Sequence, residues 1–90
     1  MREREVEQYF IRRVREAGGL QRKFVSPGVK GVPDRILIIG GIVYFVELKA
    51  PGKKLRPDQK REHERMFRVG ANVLVMDCKY DVDVFFGGKS

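Results

Sequence analysis

The stretch from Pro33 to Lys49 constrains the fold more than any other part of this 90-residue chain. Four consecutive apolar residues, Ile36-Leu37-Ile38-Ile39, precede Gly40-Gly41, and a second apolar run from Ile42 ends in Glu47-Leu48-Lys49. The pattern reads as one hairpin of two strands, 35–39 and 42–49. Side chains alternate faces along a strand, so Glu47 and Lys49 point the same way. Folding back at Gly40-Gly41 returns Glu47 to the level of Asp34, from which twelve residues separate it. Two carboxylates and an amine at one end of a short sheet can hold a divalent cation and activate a water. A surface Asp and an ordinary Glu–Lys pair at a strand end is the bland alternative.

The remaining chain builds around this hairpin. Val6, Phe10, Ile11 and Val14 recur at helical spacing over residues 3–17, and Gly18-Gly19 supplies a C-terminal stop. A first strand is expected over 20–25. It is followed by the loop Ser26-Pro27-Gly28-Val29-Lys30-Gly31-Val32-Pro33, whose glycines leave room for close approach of a ligand. The unbroken apolar run of 35–39 predicts a strand buried on both faces. Val43 and Phe45 fall on the face of Glu47 and Lys49. A second helix starts near Arg56-Pro57, proline being favoured in a first turn, and runs to about Val69. Another strand covers 71–77. The apolar tail 82–86 fits either a strand or a helical turn.

Ninety residues make one small domain, 1–90, with no room for a second core. Its 19 Lys and Arg against 12 Asp and Glu give a net charge of +7, which suits a polyanionic partner. The single Cys78 has no internal disulfide partner and indicates a reducing, cytoplasmic setting. No apolar run reaches the ~18 residues of a membrane span. The first residues, Met1-Arg2-Glu3-Arg4-Glu5, lack the apolar core of a signal peptide.

Pro33-Asp34 and Glu47-Leu48-Lys49 together resemble the motif of the PD-(D/E)xK nuclease superfamily. More narrowly the chain resembles the stand-alone VRR-NUC (virus-type replication-repair nuclease) domain. Gly31-Val32-Pro33-Asp34-Arg35, Phe45-Val46-Glu47-Leu48-Lys49 and Leu55-Arg56-Pro57-Asp58-Gln59 carry the likeness. It implies an α/β fold, a restriction-endonuclease-like αβββαβ core with a mixed central sheet flanked by helices. It further implies a Mg2+ or Mn2+ site and phosphodiester hydrolysis, in a bacterial or phage-infected cell. Small phage and bacterial members look like dimeric resolvases of Holliday junctions, so a four-way DNA junction and a homodimer are the implied substrate and state.

Asp34 and Glu47 supply the hard oxygen ligands magnesium prefers, and the backbone carbonyl of Leu48 is a candidate third ligand. Lys49 is placed to orient a water or to stabilise transition-state charge. Glu7 shares the apolar stripe of Phe10, Ile11 and Val14, where a carboxylate needs a partner such as a metal or Lys49. In the family a glutamate of the first helix completes the acidic cluster; Glu7 is the first choice and Glu3, one turn earlier, the alternative. A helix-dipole role needs no function at all. Gln59 matches the family glutamine after the basic loop and is expected to face the site. His63, four residues on, is more often a packing residue than a ligand or base.

Lys53, Lys54, Arg56, Lys60 and Arg61 follow the site strand and are expected to grip phosphates, with Lys30 and Arg35 beside Asp34 doing likewise. Arg12, Arg13 and Arg15 fall on the solvated face of the first helix. No base-reading element is present, so affinity should come from phosphates and DNA shape. Three readings follow. The first is a metal-dependent, structure-selective endonuclease, with a flap- or end-directed repair nuclease as its variant. A non-catalytic DNA-binding module and an RNA-directed or adaptor protein are the others. A homodimer would use the tail residues Val82, Val84, Phe85 and Phe86, or Tyr9.

Overall fold

A computed structural model describes residues 1–87. The order is α1 (Glu3–Glu16), β1 (Leu20–Lys23), β2 (Arg35–Ile39), β3 (Ile42–Leu48), α2 (Pro57–Arg68), β4 (Asn72–Met76) and α3 (Lys79–Phe85). The four strands form one mixed sheet in the order β1-β2-β3-β4. β1, β2 and β3 pair antiparallel, and β3 pairs parallel with β4 through the α2 crossover. This is the α/β arrangement expected, with α3 resolving the tail as a helix.

The hairpin closes at Ile39↔Ile42. Gly40 and Gly41 both have positive φ, 60° and 77°, which a two-residue turn matching the strand twist requires and L side chains disfavour. The register pairs Arg35 with Val46, so Asp34 comes up beside Glu47.

One face of the sheet holds the core. Leu37, Val46, Leu48 and Met76 pack there against Val6, Phe10 and Val14 of α1 and Val82 of α3. Each such buried side chain contributes roughly 1.5–3 kcal/mol of apolar burial. Arg13 is buried with them, contrary to a place on a solvated face. Its guanidinium pairs with Asp83 and donates to the Tyr9 hydroxyl (3.2 Å), and Tyr9 itself donates to Asp83 (2.5 Å). This network pins α1 to α3.

The other face carries Glu47 and is only partly covered. β2 is therefore not buried on both sides. Leu37 is enclosed, whereas Leu20, Ile38 and Val43, aligned across β1, β2 and β3, are 45%, 40% and 44% exposed. The reason is placement: α2 packs over β4 and reaches Glu47, leaving the hairpin end of that face without a helix. The tail is also corrected as a docking surface. Val82 is wholly buried and Phe85 and Phe86 pack on the core, which leaves Val84 exposed among the four. Among the described residues, no helix is long and apolar enough to cross a membrane.

Candidate active site

Asp34 and Glu47 meet at the C-terminal end of β3. Asp34 is exposed and Glu47 buried, so one acid faces solvent while the other sits behind it. The Leu48 N–H donates to Asp34 Oδ2 at 3.1 Å, fixing that carboxylate to the backbone of β3. Leu48's side chain lies in the core, so its backbone is what it offers here. Lys49, on the face of Glu47 as alternation requires, brings Nζ to 3.9 Å from Glu47 Oε2.

Two side chains of α2 close over Glu47. Gln59 Nε2 donates to Glu47 Oε2 at 3.1 Å, while its own Oε1 accepts from the Arg56 N–H at 2.9 Å. Gln59 thus ties the start of α2 to the buried acid. His63 Nε2 lies 3.8 Å from Glu47 Oε1. Burial, then the negative charge of Asp34, pushes the Glu47 carboxyl up to about 7; Lys49 opposes this and Glu3 adds to it. Burial also holds His63 below the ordinary histidine value, against the pull of Asp34 and Glu62.

The first-helix acids divide. Glu7 Oε2 accepts from Arg35 Nη2 at 2.6 Å. Its partner on the apolar stripe is Arg35, and its side chain remains partly open to the cleft beside Asp34. Glu3, one turn earlier, adds a small upward push to the Glu47 carboxyl. Both line a cleft of about 260 Å³ together with Lys23, Phe24, Asp34 and Arg35. Arg35 is corrected too. Its guanidinium is buried and held by Glu7 and by Gln21 Oε1 (2.8 Å), so it is a structural cation rather than a phosphate grip.

Lys30, Lys53, Lys54, Arg56, Lys60 and Arg61 are all exposed. Lys53, Lys54 and Arg56 lie in the connection between the end of β3 and α2. Arg56 is already bound through two nitrogens to Asp58, at 3.1 and 3.4 Å. A separate group, Asp77, Cys78 and Asp81, brings ligand-type atoms within 4.8 Å of one another. Its Asp81 carboxylate accepts from the Asp77 N–H and Asp77 from the Gly52 N–H. These bonds tie the chain entering α3 to itself and to the loop after β3, apart from Glu47.

The loop before Asp34 has one position where only glycine fits. Gly31 has φ +89°, and a Cβ there would stand 2.5 Å from the Asp58 carbonyl oxygen. At Gly31 the close approach is that of the α2 backbone, whereas Gly28 stands in open space. Gly31→Ala should cost about 2–4 kcal/mol, from backbone strain and from pushing α2 off the loop. Urea unfolding checks this; a loss under about 0.5 kcal/mol would contradict the contact.

No protein-family model matches the chain. It is 49% identical over 80 residues, 88% of its length and 86% of the relative's, to "Putative nuclease p44" of Acyrthosiphon pisum secondary endosymbiont phage 1. A solved structure described as a VRR_NUC domain superposes with a TM-score of 0.86 over 98% of this chain and 97% of that one, at 37% identity. With the mixed sheet and the acidic pair in place, these likenesses lead to one assignment: the chain belongs to the VRR-NUC family of nucleases.

Proposed function

We propose that this nuclease is a divalent-metal-dependent endonuclease that cuts branched DNA, four-way junctions foremost, as a homodimer. The observation that carries the reading is the buried Glu47 carboxylate beside the exposed Asp34. Glu47 Oε1 is buried with no hydrogen-bond partner, and the acid is held up to about 7 by burial and by its acidic neighbour. A dication between the two acids relieves both conditions, so the donor set fits Mg2+ or Mn2+.

Asp34, Glu47 and the Leu48 carbonyl are the residues that would hold the ion, with Glu7 or Glu3 of α1 completing the set. When bound, the ion supplies a water of lowered pKa and positive charge beside the scissile phosphate. Lys49 orients the attacking water or offsets charge on the phosphoryl oxygens from its place on the Glu47 face. Gln59 keeps Glu47 from turning away. Lys30, Lys53, Lys54 and Lys60 bind phosphates, with Arg56 shared between DNA and Asp58.

Binding carried by phosphates weakens steeply with salt, the log–log slope being about −0.9 per neutralised phosphate. Lys53→Glu and Lys54→Glu are each expected to flatten that slope, measured by anisotropy in Ca2+. An unchanged slope in both would remove this loop as the DNA grip.

A four-way junction has two-fold symmetry, and an isologous dimer matches it with two equivalent sites. The open part of the sheet, Leu20, Ile38 and Val43, offers the contiguous apolar surface such a contact needs. Val43→Lys is expected to convert a dimer to a monomer by light scattering and to replace paired cuts by single nicks. A wild-type monomer that trims flaps or ends would favour the flap-directed variant instead. The test of the function itself is cleavage of labelled junction, flap and duplex substrates with Mg2+, Mn2+ or a chelator. Metal-dependent, opposed cuts in the junction support the reading.

A further inference from the structure

Helix α2 directs two side chains at one carboxylate. Gln59 and His63 stand four residues apart and so share a helix face, one turn from each other. Gln59 holds Glu47 Oε2, and His63 Nε2 faces the other oxygen, Oε1, at 3.8 Å. Both groups are deep: Glu47 is 2% exposed and His63 7%. Glu47 Oε1 and both His63 ring nitrogens have no hydrogen-bond partner among the described residues. A buried polar group left unmet costs about 1–3 kcal/mol. Closing the gap between Nε2 and Oε1 to hydrogen-bond length needs a movement of under roughly 1 Å.

We propose that His63 is a positioning residue whose Nε2–H donates to Glu47 Oε1, so that α2 fixes both oxygens of the carboxylate. The inference rests on the reading of Glu47 as a metal-holding acid. A bare Nε2 lone pair aimed at a carboxylate oxygen is repelled, so a proton belongs on Nε2. Glu47 keeps lone pairs on both oxygens for an ion, but its plane is set by the helix. Removing such an outer partner of a ligating carboxylate lowers metal affinity or activity by about 10–100-fold.

Three measurements decide the matter. Nitrogen-15 correlation spectra of the imidazole in the metal-free wild-type protein, at a pH above the Glu47 value of about 7 where the acid is a carboxylate, report its tautomer directly. The Nε2-protonated form is expected, and a ring protonated on Nδ1 alone overturns the proposal without any variant. Calorimetry with Mn2+ and steady-state cleavage then compare His63→Leu and His63→Gln. The leucine variant is expected to bind Mn2+ about 10–100-fold more weakly and to lose kcat with KM for DNA unchanged. The glutamine variant keeps an N–H donor and is expected to recover to within about threefold of wild type. Wild-type Mn2+ affinity in His63→Leu would overturn the proposal while leaving the metal site standing. Unchanged Mn2+ affinity in Glu47→Gln would remove the metal reading itself. If His63→Leu fails to fold, the tautomer and His63→Gln carry the decision.

Discussion

Asp34→Asn and Lys49→Ala are each expected to lower the cleavage rate by about 10³-fold or more while DNA is still bound. Asn keeps the shape of Asp34 and can still accept from the Leu48 N–H that fixes this side chain at 3.1 Å. What it loses is the negative charge proposed to hold a dication. DNA binding in the asparagine variant should tighten slightly, because a negative group facing phosphates has gone. Lys49→Ala acts otherwise: the acids remain, so Mn2+ still binds, but the amine 3.9 Å from Glu47 is missing from the reacting centre. Single-turnover cleavage alongside Mn2+ calorimetry separates the two effects. Wild-type turnover by Asp34→Asn would place the active site elsewhere.

The second large effect is on stability, and its sign is unusual for an acid. Glu47 rises from 4.5 to about 7 in the folded protein. Between these values the folded chain holds a proton that the unfolded chain has released. The metal-free protein therefore loses stability as pH climbs from 4.5 to about 7, and the loss is complete above the folded value. The full shift corresponds to on the order of 3 kcal/mol. Glu47→Gln removes the ionisation, so at pH 8 without metal it should melt about 5–15 °C above wild type, yet be inactive. Added Mn2+ should raise the melting temperature of wild type and leave Glu47→Gln nearly unmoved. A variant less stable than metal-free wild type at pH 8 would show that burial does not strain this acid.

The hairpin was legible because two rules sufficed. A Gly-Gly turn between apolar runs sets the register, and strand alternation then puts Asp34, Glu47 and Lys49 together. Gln59 was legible from the motif it matches and its place in the first turn of α2. The assignments that moved all depended on which distant side chain claims a charge. Glu3 and Glu7 lie on one helical stripe, and spacing does not tell them apart; Arg35, turned into the core by its strand, takes Glu7. Arg13 likewise reads as a solvated arginine until Asp83 of α3 comes beside it. The apolar run 35–39 reads the same whether a helix covers one face or two, since periodicity carries no record of where α2 stops. A lone helical histidine reads as a packing residue, and sequence spacing does not bring His63 to Glu47, sixteen residues earlier in the sequence and 3.8 Å away in space.

The central claim is that Asp34, Glu47 and Lys49 form a metal-dependent cleavage site. It is tested most directly by incubating the purified chain with an end-labelled four-way junction in chelator, in Mg2+ and in Mn2+, with Asp34→Asn run in parallel. The account predicts no cleavage in chelator, cleavage restored by either ion, and none by Asp34→Asn in any condition. Cleavage that persists in chelator, or that survives Asp34→Asn, would contradict it.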